Sequence, residues 1–365
     1  MRRVTINVLH VDTERGWRGG ERQVLWLARE LTRRGHGTIV AARGGDMLQW
    51  RAADEGLRVV ECNQRSELDV GAAVALRRTI REARVDIVHA HTAHAVALAA
   101  IATVATGVPF VVARRVDFPL RTNLGTRLKY RGAAKFIAVS NAVAAVLENG
   151  GIARDRIAVV SDGVDINREV TPASSETLCA LGVPSGAPLA IQVAQLVGHK
   201  DPINFVRAMA YAREHAPELH GLLVGEGALR SDVERAIEEL HLEDVVHLAG
   251  YRTDADALLA AADVVALSSR EEGMGSVLLD ALAFGRPIAA TRAGGIPEVV
   301  TEDCGLLAPT EDARALGAAI ARIANDRALA ARLGECGRRR AAEFSVERMT
   351  DRTLEVYETI LRGAR

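Results

Sequence analysis

Residues 264–287 read VVALSSREEGMGSVLLDALAFGRP and contain the clearest fold pattern in the chain. Val264–Leu267 is a short apolar run of the kind that forms a buried strand. Small residues at Gly273, Gly275 and Ser276 follow it, and an apolar helical pattern opens there. A strand, a glycine-containing loop and a helix in this order predict one unit of a parallel α/β sheet.

The same stretch carries a candidate anion site. A helix that begins at small residues leaves backbone amides accessible, and these amides together with the helix dipole attract phosphate. Glu272 lies on the loop before the helix, and Asp280 lies about one turn into it. A carboxylate beside a phosphate is unfavourable unless it binds hydroxyl groups, so sugar and ribose hydroxyls are the partners that we expect for the two acids.

Outside this segment, short apolar runs alternate with amphipathic helical patterns along the chain. This alternation predicts two doubly wound α/β domains. Their ligands should bind in a cleft, outside the carboxyl ends of the strands. Residues 1–168 are predicted to form the first domain and residues 169–188, rich in proline and serine, a linker. Residues 189–345 should form the second domain, and residues 346–365 a helix that packs back on the first. The predicted strands are Thr5–Val11, Thr38–Ala42, Arg58–Glu61, Asp86–Ala90, Phe110–Ala113, Phe136–Val139, Ile157–Val160, Leu189–Ala194, Leu222–Val224, Val245–Leu248, Val264–Leu267 and Ile288–Thr291.

Composition excludes several classes of protein. The 365 residues are 48% hydrophobic and 25% charged, with no apolar run long enough to span a bilayer. The four cysteines lie far apart and match no zinc spacing, so we expect reduced packing residues in a cytoplasmic protein. Residues 1–165 hold 25 basic and 17 acidic side chains, against 21 and 30 in the remainder. The first half therefore carries a net charge of +8, which fits either solvated faces or an anionic partner.

Glu272, seven residues and then Asp280 resemble the signature of glycosyltransferase family 4, a retaining family with the GT-B fold. Further segments resemble the family in the right order along nearly the whole chain. They are Trp17–Glu21, Gln192–Lys200 and Thr291–Glu298. The resemblance implies two Rossmann-like domains and a nucleoside diphosphate sugar as donor. It implies no metal and no cofactor.

The resemblance also implies a role for each matching residue. Glu272 would contact hydroxyls of the donor sugar, and Asp280, where the family usually has glutamate, would contact the ribose. Lys200 would face the diphosphate, with Glu272 and His91 as the other catalytic candidates. Gln195 stands where the family usually has arginine. Either Arg292 replaces the lost charge, or phosphate binding depends on Lys200 and the helix amides. The full set implied for donor binding is Gly19, Gly20, Gln195, Gly273, Met274, Gly275, Ser276, Asp280 and Arg292.

Two histidines end a predicted strand. By strand alternation His89 and His91 lie on one face, so a shared metal ion is one interpretation and a donor or acceptor contact from His91 is the favoured one. After the next strand, Arg114 and Arg115 stand where many family members have histidine. Arginine favours phosphate and carboxylate, which predicts a negatively charged acceptor.

A basic stretch from Arg121 to Lys135 leaves open a solvated helix face, or contact with a phosphorylated glycan or with membrane lipid at the inner face of the cell. It has no interleaved aromatic residues, which argues against nucleic acid. We therefore expect a cytoplasmic transferase acting on a glycan, a lipid-linked or a lipopolysaccharide-type acceptor. A nucleotide-sugar epimerase and a non-catalytic nucleotide-sugar binding protein remain alternatives. A dehydrogenase is disfavoured because no G-x-G-x-x-G follows the first strand.

Overall fold

The computed structural model describes residues 5–64, 66, 69–120 and 124–363. The chain forms two compact units. The first contains the residues up to Gly163 together with those from Val346 onward, and the second contains Val164–Ser345. The predicted linker, residues 169–188, lies inside the second unit and contains a helix of six residues.

The first unit is built on a parallel sheet of seven strands in the order β3-β2-β1-β4-β5-β6-β7. Its strands are β1 (Asn7–Val11), β2 (Gly37–Ala42), β3 (Arg58–Glu61), β4 (Ile87–Ala90), β5 (Phe110–Arg114), β6 (Lys135–Ala138) and β7 (Ile157–Val159). Its helices before the chain leaves the unit are α1 (Gly19–Arg33), α2 (Met47–Asp54), α3 (Val70–Glu82), α4 (Ala93–Ala102), α5 (Leu124–Arg131) and α6 (Asn141–Asn149). All seven strands agree with the sequence prediction to within two residues at each end.

The second unit repeats this plan with a parallel sheet of six strands in the order β10-β9-β8-β11-β12-β13. Its strands are β8 (Leu189–Val193), β9 (His220–Val224), β10 (Val246–Gly250), β11 (Val264–Leu267), β12 (Ile288–Thr291) and β13 (Gly305–Ala308). Its helices are α7 (Ser175–Ala180), α8 (Pro202–His215), α9 (Arg230–Glu239), α10 (Ala255–Ala261), α11 (Ser276–Ala283), α12 (Ile296–Val299), α13 (Ala313–Asn325) and α14 (Arg327–Ala341). The sequence prediction missed β13, a four-residue strand at the edge of the sheet.

The last helix, α15 (Val346–Gly363), belongs to the first unit. It packs on α1, and its apolar face includes Met349 and the fully buried Tyr357. Arg34, at the end of α1, donates a hydrogen bond to the backbone oxygen of Glu347 at 2.9 Å and forms an ion pair with Asp351. These contacts join the two ends of the chain within one unit.

Both sheets change direction at their centre. The chain runs outward from β1 to β2 and β3 and then returns to place β4 beside β1, and β8 and β11 have the same relation in the second sheet. Ligands of open α/β sheets bind beyond the carboxyl ends of the strands at such a point. None of the helices in the described part of the chain is long and apolar enough to cross a membrane.

Candidate active site

The candidate donor site lies where β8 and β11 meet in the second sheet. The loops that follow these two strands are hydrogen-bonded to each other, because the Arg270 amide donates to the His199 carbonyl oxygen at 2.8 Å. The Ser268 hydroxyl adds a second link, since it donates to the carbonyl oxygen of Asp201 at 2.7 Å. The two segments that the sequence analysis assigned to donor binding therefore form one surface.

Two buried polar side chains hold these loops in place. Gln192, at the end of β8, is fully buried, and its Oε1 accepts from the Ser268 amide at 3.0 Å. Thr291, at the end of β12, donates to the carbonyl oxygen of Ser269 at 2.6 Å. The sequence analysis gave neither Gln192 nor Thr291 a separate role.

Lys200 and Glu272, both predicted to be catalytic, lie together at this surface. The Lys200 ammonium forms an ion pair with Oε2 of Glu272, and the Ser269 hydroxyl donates to the same oxygen at 3.2 Å. The Glu272 carboxylate is nine-tenths buried, while a fifth of the Lys200 side chain is exposed. In this position, Lys200 can leave Glu272 to bind a negatively charged ligand group, and Glu272 can then bind hydroxyl groups of the ligand.

The glycine loop behind Glu272 leads directly into α11. Gly275 is the residue before the helix and has a φ of 80°, a left-handed conformation that favours glycine. Gly273 and Met274 are buried, and Ser276, the first helical residue, is partly exposed. The Gly295 amide donates to the Glu272 carbonyl oxygen at 2.9 Å, so the turn before α12 is tied to this loop.

Asp280, predicted to bind ribose, is buried on α11 and is held by an arginine. Nη2 of Arg168 donates to Asp280 Oδ1 at 3.0 Å, and Nη1 donates to Asp256 Oδ2 at 2.7 Å. The guanidinium also lies 5.2 Å from the centre of the Phe284 ring. The sequence analysis did not identify Arg168, because it lies 112 residues before its acidic partner.

The other predicted donor-binding residues of this unit are more peripheral. Gln195 is half-buried in the loop after β8, packed close to Gly225. Half of the Arg292 side chain is exposed, and its guanidinium lies 3.7 Å from the Glu302 carboxylate. This contact joins two exposed side chains and is weak, so the role of Arg292 in place of the family arginine stays a prediction.

In the first unit, three histidines meet where β1 and β4 are neighbours. His10 of β1 pairs in register with His89 of β4, and His91 follows two residues later on the same face. The His89 and His91 rings are 4.0 Å apart, and the His10 and His91 rings are 5.3 Å apart. Among the described residues, these three imidazoles form a group whose nitrogens lie close enough to share a metal ion, all within 4.8 Å of one another.

The cluster is closed by hydrogen bonds and by burial. His10 Nδ1 and His91 Nε2 are 3.0 Å apart, and His89 Nδ1 is 2.6 Å from the Tyr357 hydroxyl of α15. Burial lowers the pKa of His10 to about 3 and holds the pKa of His89 and of His91 well below the usual range, and the nearby Arg115 lowers all three further. The imidazoles are therefore neutral near pH 7.

The two arginines that were assigned to the acceptor side already have partners within the first unit. Arg114 donates to the backbone oxygen of Phe118, and burial lowers the pKa of its guanidinium. Arg115 donates from Nε to Asp162 Oδ1 at 2.9 Å and from Nη1 to His91 Nδ1 at 3.3 Å.

The glycine loop after β1 carries two buried acids that the sequence analysis did not single out. Gly19 and Gly20 form the first turn of α1, where Glu21 Oε2 accepts from the Arg18 amide at 2.8 Å. Burial raises the pKa of Glu21, and burial together with the nearby Glu21 raises the pKa of Asp12 to about 7. The carboxyl end of β1 therefore holds a carboxyl group whose pKa lies well above its ordinary value because of burial and the neighbouring acid.

Three relatives place the chain among known proteins. A D-inositol 3-phosphate glycosyltransferase of Saccharomonospora viridis is 34% identical over 58% of this chain, and the match spans 52% of that relative, about half its length. A lipopolysaccharide core biosynthesis glycosyltransferase of Rhizobium meliloti is 29% identical over 68% of this chain and 69% of its own. The HepE protein of Anabaena, solved with UDP and glucose, superposes with a TM-score of 0.85 over 97% of this chain and 100% of its own at 22% identity, which establishes a common fold.

Two family models cover most of the sequence. The model for Glycosyltransferase Family 4 matches residues 17–168, and the model for Glycosyl transferases group 1 matches residues 176–340. Each match falls on one of the two parallel sheets. The chain therefore belongs to the family 4 and group 1 glycosyltransferases, an enzyme family with the GT-B fold of two Rossmann-like units.

Proposed function

We propose that this chain transfers a hexosyl or related sugar from a nucleoside diphosphate sugar to a glycan, lipid-linked or lipopolysaccharide-type acceptor, with retention of the anomeric configuration. The observation that carries the proposal is the pairing of Lys200 with Glu272 where β8 and β11 meet. The Anabaena protein with UDP and glucose and the Rhizobium meliloti relative support the donor and acceptor classes.

In this mechanism, Lys200 exchanges Glu272 for the diphosphate of the donor. The bond between the anomeric carbon and the diphosphate oxygen breaks, and the acceptor oxygen attacks from the same face. The acceptor proton passes to the leaving diphosphate oxygen. Lys200 and the amides at the start of α11 stabilise the charge that develops on this oxygen.

The two acids have separate roles in the proposal. Glu272, released from Lys200, accepts hydrogen bonds from hydroxyls of the sugar and fixes its orientation. Asp280, held by Arg168, lies one turn into α11 and accepts from the ribose hydroxyls. Positive charge from Lys200 and the amides stabilises the leaving diphosphate, and the proposal assigns no metal ion.

We also propose that the first unit contacts an anionic membrane surface. A shallow apolar groove lies between α4 and the residue after α5, lined by side chains that include Val104, Val108 and Phe110. Val104 and Leu128 are exposed large apolar residues, and the exposed Arg131 ends α5. Arg121 of the basic stretch lies outside the described residues. Apolar contact and positive charge together favour an anionic lipid surface.

The test of the transferase proposal is a screen of nucleoside diphosphate sugars. Thermal unfolding would identify the donor, because a ligand at 100 times its Kd stabilises a protein by about 2.7 kcal/mol. Incubation of that donor with acceptor fractions should release the nucleoside diphosphate, and NMR of the product should show the anomeric configuration of the donor. An inverted product would contradict retention, and conversion of the donor to an epimer without transfer would favour the epimerase alternative.

A further inference from the structure

The contacts of Arg115 point to a role different from acceptor binding. Arg115 follows β5, and its guanidinium bridges Asp162 and His91 at 2.9 and 3.3 Å. Only a fifth of its side chain is exposed, and the Asp162 side chain is nine-tenths buried. An arginine committed on both sides has little capacity left for an anionic acceptor.

The donor properties of arginine fix the proton on His91. Arginine has five N–H donors and no acceptor, so the contact from Nη1 requires a lone pair on Nδ1 of His91. In a neutral imidazole the other nitrogen then carries the proton. His91 is therefore the Nε2–H tautomer.

The same logic passes to the next ring. The Nε2–H of His91 faces Nδ1 of His10 at 3.0 Å, so His10 must accept there and carry its own proton on Nε2. This Nε2 is fully buried and has no hydrogen-bond partner in the described part of the chain. One guanidinium thus sets the tautomer of two successive imidazoles.

A metal ion on the three histidines conflicts with this arrangement. A metal bound to Nε2 of His91 would need the lone pair there, which moves the proton to Nδ1. That N–H would then point at the N–H of Arg115, donor against donor. Metal-bound histidines usually donate their other nitrogen to a carboxylate or a carbonyl, whereas here a cation occupies that position.

We propose that Arg115, held by Asp162, is a positioning residue. It fixes His91, and through His91 also His10, as neutral Nε2–H tautomers in a hydrogen-bonded chain without a metal ion. The proposal differs from the sequence-based assignment of Arg115 to acceptor binding, which stays a prediction. It also gives both ring nitrogens of His91 partners inside the first unit. The proposal rests on the proposed function only for the location of the acceptor side.

The test reads the tautomers directly, by NMR of the intact chain labelled with ¹⁵N-histidine. Signals of His91 and His10 are assigned by their loss in His91→Gln and His10→Gln. The wild type should show both residues as neutral Nε2–H tautomers. In Arg115→Met, His91 should become a mixture of tautomers, and His94→Gln, which changes an exposed histidine, should leave both signals unchanged. A wild-type His91 protonated on Nδ1, or an unchanged His91 in Arg115→Met, overturns the proposal.

If Arg115→Met does not fold, Asp162→Leu supplies the second variant, because it removes the carboxylate that holds Arg115 and keeps a similar volume. It should also mix the tautomers of His91. Two further measurements address the alternatives. Metal analysis of the purified chain should find less than one equivalent of bound metal ion. One bound equivalent that broadens the His91 NMR signals would overturn the metal-free arrangement. Inorganic phosphate should leave the His91 signals in place, and a saturable shift would return Arg115 to anion binding.

None of these measurements needs turnover, so a chain that transfers no sugar but shows the predicted tautomers would separate the two proposals. In an active preparation, Arg115→Met should lower kcat more than it raises KM for the acceptor. A residue that binds an acceptor anion would raise KM with little change in kcat. An equal loss with charged and uncharged acceptors supports positioning, and a loss confined to charged acceptors contradicts it.

Discussion

The two sheets have the same topology at their centres but different chemistry. Where β8 meets β11, the side chains form ion pairs, Lys200 with Glu272 and Arg168 with Asp280. Where β1 meets β4, the centre is a group of neutral histidines, closed by one arginine and by Tyr357. The strand order determines where a ligand binds, and the side chains at that point determine what it is.

The two sites should respond differently to a ligand, because one contains ion pairs and the other contains buried neutral rings. The Lys200 side chain is about one fifth exposed, so a charged donor can reach it and take the place of Glu272. Buried neutral rings cannot take up charge without losing their burial, since desolvation disfavours the protonated form. The second unit is therefore suited to bind an anion, and the first to hold a fixed geometry.

Acid should destabilise the histidine centre more than the ion-paired centre. The pKa of His10 is lowered from 6.5 to about 3, and those of His89 and His91 are lowered well below 6.5. The unfolded chain binds these protons first, so the stabilisation is complete above pH 6.5 and is lost as the pH falls from 6.5 towards 3. Each histidine steepens the loss by about 1.4 kcal/mol per pH unit.

Hydrogen exchange at pH 7.5 and 5.0, corrected for intrinsic rates, measures this difference. Protection of β1, β4 and α15 should decrease more than protection of β8 and β11. In the second unit, burial also lowers the pKa values of His220 and His247. These two rings are less buried than the three histidines of the first unit, so we expect a smaller effect of acid. Equal loss of protection in both regions would contradict the greater acid sensitivity expected for the histidine centre.

Replacing Lys200 should cost about 3 kcal/mol in transition-state stabilisation, a decrease of roughly two to three orders of magnitude in kcat/KM. Lys200→Met keeps the length of the side chain and removes the charge that faces the diphosphate. Release of nucleoside diphosphate measures the effect. Arg339→Met, an exposed cation paired with Glu335 on α14, is the matched control and should keep normal activity. Turnover within threefold of wild type in Lys200→Met would remove Lys200 from the mechanism.

Much of the fold could be predicted because each strand carries its own local pattern. Twelve strands were located from short apolar runs between turn residues. β13 was missed because Gly305–Ala308 is a four-residue edge strand that shows no alternation. The segment assigned as a linker lies in the second unit, where Ser174 caps α7 by accepting from the Thr177 amide and the Ala173 amide donates to the Ala257 carbonyl oxygen of α10 at 2.9 Å.

The two sites differed in how far the sequence could predict them. Glu272 and Asp280 lie eight residues apart on one loop and helix, so their spacing was visible. The histidine centre is assembled from His10, His91, Arg115 and Tyr357, which only the folded sheet and the return of α15 bring together. Sequence spacing holds no signal for contacts of this range.

Neutralising the end of α5 should weaken binding to anionic liposomes. Lys129→Gln with Arg131→Gln removes two positive charges from the last turn of α5, and each charge near an anionic surface contributes about 1 kcal/mol. We expect roughly 30-fold weaker binding, measured by sedimentation at low salt. Arg332→Gln with Arg339→Gln, two exposed charges on α14, is the control pair and should have no effect. Wild-type chain that ignores anionic liposomes at low salt would contradict the membrane proposal.

The smallest expected effect separates the two acids of the donor site. Glu272→Gln should weaken binding of the nucleoside diphosphate sugar by roughly tenfold, about 1.5 kcal/mol, and leave the free nucleoside diphosphate largely unaffected. Asp280→Asn should weaken both ligands by a similar factor, because ribose is common to them. Both replacements keep the shape of the side chain and its ability to accept from Lys200 or Arg168. Titration calorimetry with the two ligands measures each constant.

Asp256→Asn is the control for Asp280, because Asp256 accepts from the same arginine at 2.7 Å but lies on α10. If Asp280 acts on ribose, Asp256→Asn leaves both affinities within twofold of wild type. If Asp280 acts only by holding Arg168, the two variants weaken binding equally, and the role assigned to Asp280 is wrong. Since Asp280 is nearly fully buried and Asp256 about one third exposed, their free energies of unfolding should also differ. Loss of stability in Asp280→Asn without loss of affinity would make its pairing with Arg168 a structural feature of the second unit alone.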